Sequence, residues 1–375
     1  MYGKTQAKAR AKLKELQAKI DSGKPIITGK GVTLERWLTK EWVAKILPAR
    51  VKAEKISQNT MNSYADNVRL HIVPHLGQHE IGKLAPAHLR TWLKELETKP
   101  SGRQKKPTKD NPNPPVVTLF SRAQAYAHTV LRIALNDAMR EEIVTRNVAT
   151  LVDPPSGKSS RGRALTQEEI DAVFAEAAED RYATVWVTIL VLGLRRGEAL
   201  ALRWSLIDLD EGLAAVGPSL QRVRDAAPGE DGRRRGRLEV VRGKTEKSEA
   251  TIPVPPVVVD ALKAHREAQK AEREDAEVWV DEDLVFASGI GTPIEPRNLN
   301  RAWTALCKRA GVEDARIHDL RHTAATWLYE EGVELKDIQH ALRHSRLQTT
   351  SEVYTHFTKK TQARTATVMA VPSSD

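Results

Sequence analysis

Across residues 33–152 apolar side chains recur at helical spacing, and then the recurrence stops. It stops at Asp153-Pro-Pro-Ser-Gly-Lys-Ser-Ser-Arg-Gly162. Proline, glycine and serine dominate this run, and it has no apolar face to bury. A chain broken in this way is expected to fold as separate bodies, with a boundary near residue 158. Ahead of the break, Met61, Tyr64, Val68 and Ile72 form one stripe, and Leu89, Trp92, Leu93 and Leu96 form a second, opened by Pro86. A third helix is expected over 119–141, with Leu131, Leu135 and Ala138 on one face. Between the last two helices, residues 98–115 hold five prolines and five basic residues, Arg103, Lys105 and Lys106 among them. That stretch reads as a loop, either solvated or touching phosphates.

Past the break, Thr166 and Glu169 are spaced as a capping box. An apolar helix is expected around 182–194. Residues 237–242 and 250–255 then read as short strands around a turn-like 243–249, with 213–223 as a third strand. Helices return from about 256. The expected fold is mainly α with a small antiparallel β-sheet. The expected division is a basic N-terminal helix (1–30), a helical domain (31–152), a linker (153–162) and a second domain with a C-terminal tail (163–375).

Charge and cysteine content narrow the function. The 375 residues carry a net charge of +10, and residues 1–30 alone hold eight basic and two acidic side chains. A basic balance raises the prospect of a nucleic-acid partner without proving it. The single cysteine, Cys307, excludes an internal disulfide framework, a cysteine zinc site and a cysteine-held iron–sulfur cluster. The longest apolar run, 182–194, is too short to span a bilayer. The first residues lack the apolar core of a secretory signal. The expectation is a soluble cytoplasmic protein.

Four stretches carry candidate chemistry. In Gly193-Leu-Arg-Arg-Gly-Glu198, Arg195 stands at the end of an apolar helix with Glu198 beside it, as a site pair or a surface ion pair. In Gly243-Lys-Thr245, Lys244 sits at a turn, reaching into a cleft or simply exposed. A phosphate-binding P-loop is rejected there, because its first glycine would fall at Leu238. In Ile317-His-Asp-Leu-Arg-His-Thr323, His318 and Arg321 share a helical face. His318 and His322 also have a metal-compatible spacing, but no Glu follows His318 as a metallohydrolase helix requires. In the last stretch, His344 follows Leu342-Arg343, and Tyr354 is either a nucleophile or a half-buried helix residue. Together, arginine forks, a lysine, histidines and a tyrosine suit phosphoryl transfer.

In order and spacing these stretches resemble the tyrosine recombinases, the phage integrase family. Arg195 matches the family's first catalytic arginine and Glu198 its neighbouring acid. Lys244 matches the β-hairpin lysine, His318 and Arg321 the His-x-x-Arg box, His344 the second histidine, and Tyr354 the nucleophile. The match covers most of 163–360, and 33–152 is similar to the family's SAM-like helical core-binding domain. Three departures stand out. Arg343 occupies a position where the family usually has glycine, the His344–Tyr354 interval is ten residues, and only the last helix of an arm-binding module is present in 1–30.

The resemblance implies a site-specific recombinase or integrase acting on phage or mobile-element DNA through a 3′-phosphotyrosyl link. It implies no cofactor and no metal. Its implied partners are double-stranded attachment sites, a homotetramer on DNA and an accessory DNA-bending or directionality factor, in the bacterial cytoplasm or nucleoid. Arg103, Lys105, Lys106, Arg122 and Gln124 are candidate DNA contacts, with ordinary caps and solvated faces as the alternative for the last two. A type I topoisomerase-like nicking and resealing enzyme, an inactive DNA-binding regulator, and a metal-dependent hydrolase on His318 and His322 remain open.

Overall fold

The computed structural model describes residues 31–101, 114–155, 162–225, 235–241 and 249–343, with isolated positions near the start of the chain. The chain divides into two compact units, residues 1–159 and 160–375.

The first unit is helical. Helix α1 runs without a break through Leu34–Arg36, Trp37–Ile46 and Leu47–Lys52, its middle wound as a π-helix. The Thr33 side chain caps its first turn. Helix α2 starts at Gln58–Asn67 and continues through Val68–Ile72 into Val73–Leu76. Helices α3 (Pro86–Thr98) and α4 (Ser121–Arg140) complete the unit. The periodic residues face one core: Met61, Val68, Ile72, Leu89, Trp92, Leu93, Leu96, Leu131, Leu135 and Ala138 are all buried. Trp37, Trp42 and Trp92 are buried with them, and each indole N–H still finds an acceptor. Trp42 donates to the buried carboxylate of Asp137 at 2.7 Å, which Arg50 also meets at 2.5 Å. This shared carboxylate ties α1 to α4.

The second unit opens on helix α5 (Gln167–Glu176), whose Thr166–Glu169 capping box is formed in both directions. Helix α6 (Ala183–Val191) follows, with Trp186 packed against Trp303 at 5.0 Å. After the four-residue α7 (Arg196–Ala199) come the strands β1 (Ile207–Asp208), β2 (Leu213–Val216), β3 (Ser219–Arg224), β4 (Gly236–Val241) and β5 (Ala250–Pro253). Helices α8 (Pro256–Asp275), α9 (Pro296–Arg309), α10 (Ile317–Glu330) and α11 (Leu335–Ala341) follow.

The strand pairing corrects the sequence reading. The two runs that flank Lys244 do not pair with each other among the described residues. Instead β4 pairs with β3, and β5 pairs with β2, all antiparallel. The single strand expected over 213–223 is two strands, divided at Gly217 and Pro218. Proline lacks the N–H that a continuous ladder needs, and Gly217 has φ +148, outside strand geometry. The result is a three-stranded sheet, β1-β2-β5, and a separate two-stranded one, β3-β4. Among the described residues no helix is long and apolar enough to cross a membrane.

Candidate active site

The site is assembled where two helices of the second unit end. Helix α6 closes in a Schellman turn, with Leu194 N–H donating to Ile189 and Gly193 N–H to Leu190. Gly193 takes φ +56, which glycine adopts without strain. Helix α11 ends with Arg343 N–H donating to His340, and there the left-handed residue is Arg343, at φ +53. Between these ends lies Arg321 of α10, 1% exposed. Its Nη1 donates to the Gly193 carbonyl at 2.5 Å and its Nη2 to the Leu342 carbonyl. Carbonyls at helix C-termini carry the negative end of the helix dipole, so a cation is stabilised there.

Arg195 sits next to this point, on the other side of Gly193 and Leu194. It caps α7, and Glu198 reaches back to its backbone N–H at 2.9 Å while also accepting from its Nη1 at 2.6 Å. This is not a surface ion pair, since Glu198 is 5% exposed. The same carboxylate accepts from Arg343 Nη2 at 3.1 Å and faces Arg321 Nη1 at 3.8 Å. Arg195 Nη2 in turn donates to the Arg343 carbonyl at 3.3 Å. Three guanidiniums therefore share one carboxylate, a net of two positive charges. Such an excess suits an anion with several oxygens. The Arg195 side chain is 44% exposed, so it carries that charge to the surface.

The electrostatics follow from this crowding. Burial acts to raise the Glu198 pKa, but Arg343 and then Arg195 outweigh it and hold the group below the usual carboxylate range. Burial presses the Arg321 pKa downward, with Arg195 adding to the effect and Glu198 opposing it. The guanidinium nonetheless stays charged, because arginine does not lose its proton in proteins. Its Nε has no hydrogen-bond partner among the described residues.

His318 lies one turn before Arg321, near the start of α10. The residue as a whole is exposed, but its ring packs edge-on against His322 with centroids 4.8 Å apart. Partial burial of that ring, then His322 and Arg321, push its pKa down to about 4. The imidazole is therefore neutral at pH 7. Asp319, between them, is fully buried and holds Arg316 through its backbone N–H and its guanidinium. This cap fixes the start of α10. The Arg316–Asp319 interval, three residues at a helix start, was its only sequence signal. Among the described residues no group of three or more His, Cys, Asp or Glu side chains is placed to hold a metal ion.

Arg195, Glu198 and Arg321 are thus brought together, with His318 beside them. Sequence reading missed how Arg343 is used: its side chain turns inward onto Glu198. Lys244, His344 and Tyr354 lie outside the described residues, as do Arg103, Lys105, Lys106 and nearly all of residues 1–30. In the first unit, Arg122 is exposed on the first turn of α4. Gln124 is turned inward. It is 3% exposed, and its Nε2 donates to the Leu119 carbonyl at 2.8 Å. An amide turned onto its own helix start is not offered to a base edge.

Comparison with known proteins points the same way. Residues 163–361 match the phage integrase family, and residues 49–97 match the phage integrase N-terminal SAM-like domain. An integrase of Saccharopolyspora erythraea is 28% identical over 364 residues, covering 85% of this chain and 78% of that one. A XerC-like tyrosine recombinase of Caldanaerobacter subterraneus is 32% identical over 200 residues, covering 52% of this chain and 51% of that one. Among solved structures, the Tn1549 transposon integrase in complex with a circular intermediate DNA superposes with a TM-score of 0.66. It is 17% identical and covers 88% of this chain and 99% of that one, a likeness of fold.

Proposed function

From the premise that this chain belongs to the phage integrase family and is a tyrosine recombinase, we propose that it cuts and rejoins DNA through a covalent 3′-phosphotyrosyl intermediate. The observation that carries this reading is the arginine cluster. Arg195 and Arg321 converge on one buried carboxylate with positive charge to spare. A transferring phosphoryl group needs such charge fixed before the reaction. Arg195 and Arg321 would hold the non-bridging oxygens.

In the first step the Tyr354 oxygen attacks phosphorus, and the bond from phosphorus to the 5′-oxygen breaks. Neutral His318 accepts the tyrosine proton. Lys244 gives a proton to the departing 5′-oxygen, and His344 hydrogen-bonds the phosphate. The phosphotyrosyl link keeps the energy of the phosphodiester, and a 5′-hydroxyl from a partner strand reverses the step. The occupants are double-stranded attachment sites, bound by four protomers, and the role is the integration or excision of phage or mobile-element DNA. Relatives bearing the name integrase support this role. Affinity for DNA should fall steeply with salt, since phosphate contacts supply most of it.

The test is a nicked duplex built from an imperfect inverted repeat in the DNA flanking the gene. Incubation should give a covalent protein–DNA adduct, and Tyr354→Phe should abolish the adduct while sparing binding. An adduct that persists in the Phe variant sinks Tyr354 as nucleophile. Binding without any wild-type adduct favours an inactive regulator, and relaxation of supercoils without recombinant product favours a topoisomerase.

A further inference from the structure

Arg343 has features that this reading leaves unused. Its backbone is left-handed, at φ +53, at the helix end where α6 has Gly193. Glycine is the unstrained residue at that position. Its guanidinium is also buried: the side chain is 3% exposed. A cation near a helix C-terminus gains from the helix dipole without burial. Taking a guanidinium out of water is unfavourable unless a specific partner requires it. Arginine thus stands here against two local preferences, and departures of this kind concentrate where a site needs them.

The partner is Glu198. Arg343 Nη2 donates to Glu198 Oε2 at 3.1 Å, and Nη1 donates to the Ala341 carbonyl at 3.1 Å. Glu198 Oε2 also holds the Arg195 backbone N–H at 2.9 Å and faces Arg321 Nη1 at 3.8 Å. Without Arg343, Glu198 would draw on Arg195 and Arg321 alone, and the net charge around it would fall from two positive to one. A phosphoryl group in transfer gathers negative charge on its outer oxygens. We propose that Arg343 is a positioning residue for strand cleavage that acts through Glu198. It takes up part of the carboxylate's charge, leaving Arg195 and Arg321 more fully available to the scissile phosphate. It also steadies the oxygen that anchors Arg195.

This proposal rests on the phosphotyrosyl reading, and its test separates the two. The full chain is compared with Arg343→Gly and Arg343→Lys on the same nicked duplex, at saturating protein, reading single-turnover adduct formation, DNA affinity and melting temperature. Arg343→Gly should bind DNA within about threefold of wild type and form the adduct slower by on the order of tenfold, a coupling usual for neighbouring charges. Its melting temperature should stay within a few degrees of wild type, because the relief of the left-handed backbone by glycine offsets part of the lost pairing with Glu198, which keeps Arg195 and Arg321. Arg343→Lys restores a cation facing Glu198 and should recover most of the rate. An Arg343→Gly chain as fast as wild type overturns the proposal. A lysine variant as slow as the glycine one does so too, and so does a slow glycine variant that melts early, which marks a packing role. If wild type itself forms no adduct, the parent reading fails first and this one falls with it.

Discussion

Replacing Glu198 by Gln keeps the shape of the side chain and removes the negative charge that, among the described residues, three arginines share. Against Arg343 at 3.1 Å and Arg321 at 3.8 Å, the gross attraction is about 4 to 5 kcal/mol each at an effective dielectric near 20. Most of this is offset by the desolvation already incurred in burying the groups. Arg195, 44% exposed, adds less than the two buried arginines, because solvent screens its end of the pair. Breaking a buried ion pair by removing one partner typically costs about 3–5 kcal/mol, and that is the range expected here. For a unit of this size each kcal/mol lowers the melting temperature by roughly 2–4 °C, so the second unit should melt roughly 10 °C lower. Scanning calorimetry of the full chain at pH 7 reads this directly.

The pH dependence supplies a control on the cause. The folded-state pKa of Glu198 is lowered, so its contribution is present above the unfolded carboxylate pKa. It is lost as pH falls through the folded value. The gap between wild type and Glu198→Gln should therefore close in acid. Inorganic phosphate should also raise the melting temperature of the variant more than that of wild type, because an anion then replaces the missing charge. A loss at pH 7 below about 3 °C, or roughly 1 kcal/mol, would refute the shared-carboxylate account. A gap that does not shrink in acid would refute it as well.

Two other outcomes follow from the same geometry. The His318 ring should titrate by NMR well below the usual histidine value, toward about 4. Because the folded pKa is depressed, stability from this group is lost as pH falls from about 6.5 toward the folded value, and a normal midpoint would count against the packed ring pair. Gly197→Ala would set a Cβ 2.9 Å from the Leu220 carbonyl oxygen and into Ser219 Oγ, where α7 meets β3. Such overpacking costs about 1–3 kcal/mol, so the denaturation midpoint should fall, and an unchanged midpoint would show that β3 yields freely.

Much of this molecule is written in short-range spacing. The stripes at Met61–Ile72 and Leu89–Leu96, and the box at Thr166 and Glu169, involve residues three or four apart. One turn of helix brings such residues together whatever the rest of the chain does, which is why periodicity suffices to find them. The Arg195–Glu198 interval was legible for the same reason. Spacing is silent on burial, so it left open whether that pair lay on the surface. Strand partners were also not legible. Residues 236–241 and 250–253 each carry β-forming side chains, but pairing is decided by which edge is available. The break at Gly217 and Pro218 divides one apparent strand and so provides separate partners for each. Gln124 turned inward although its helix start was polar.

The site shows the division most clearly. Order along the chain determined which arginines, histidines and acids were candidates, and the residue type at 343 was plainly unusual. Only the tertiary structure decided that Arg195, Arg321 and Arg343 share Glu198, across up to 148 residues of separation. It did so because α6 and α11 end at the same place, with carbonyls that need donors and a buried carboxylate that needs cations. Those requirements arise from removing water, and no local pattern of residues records which groups will lose it together.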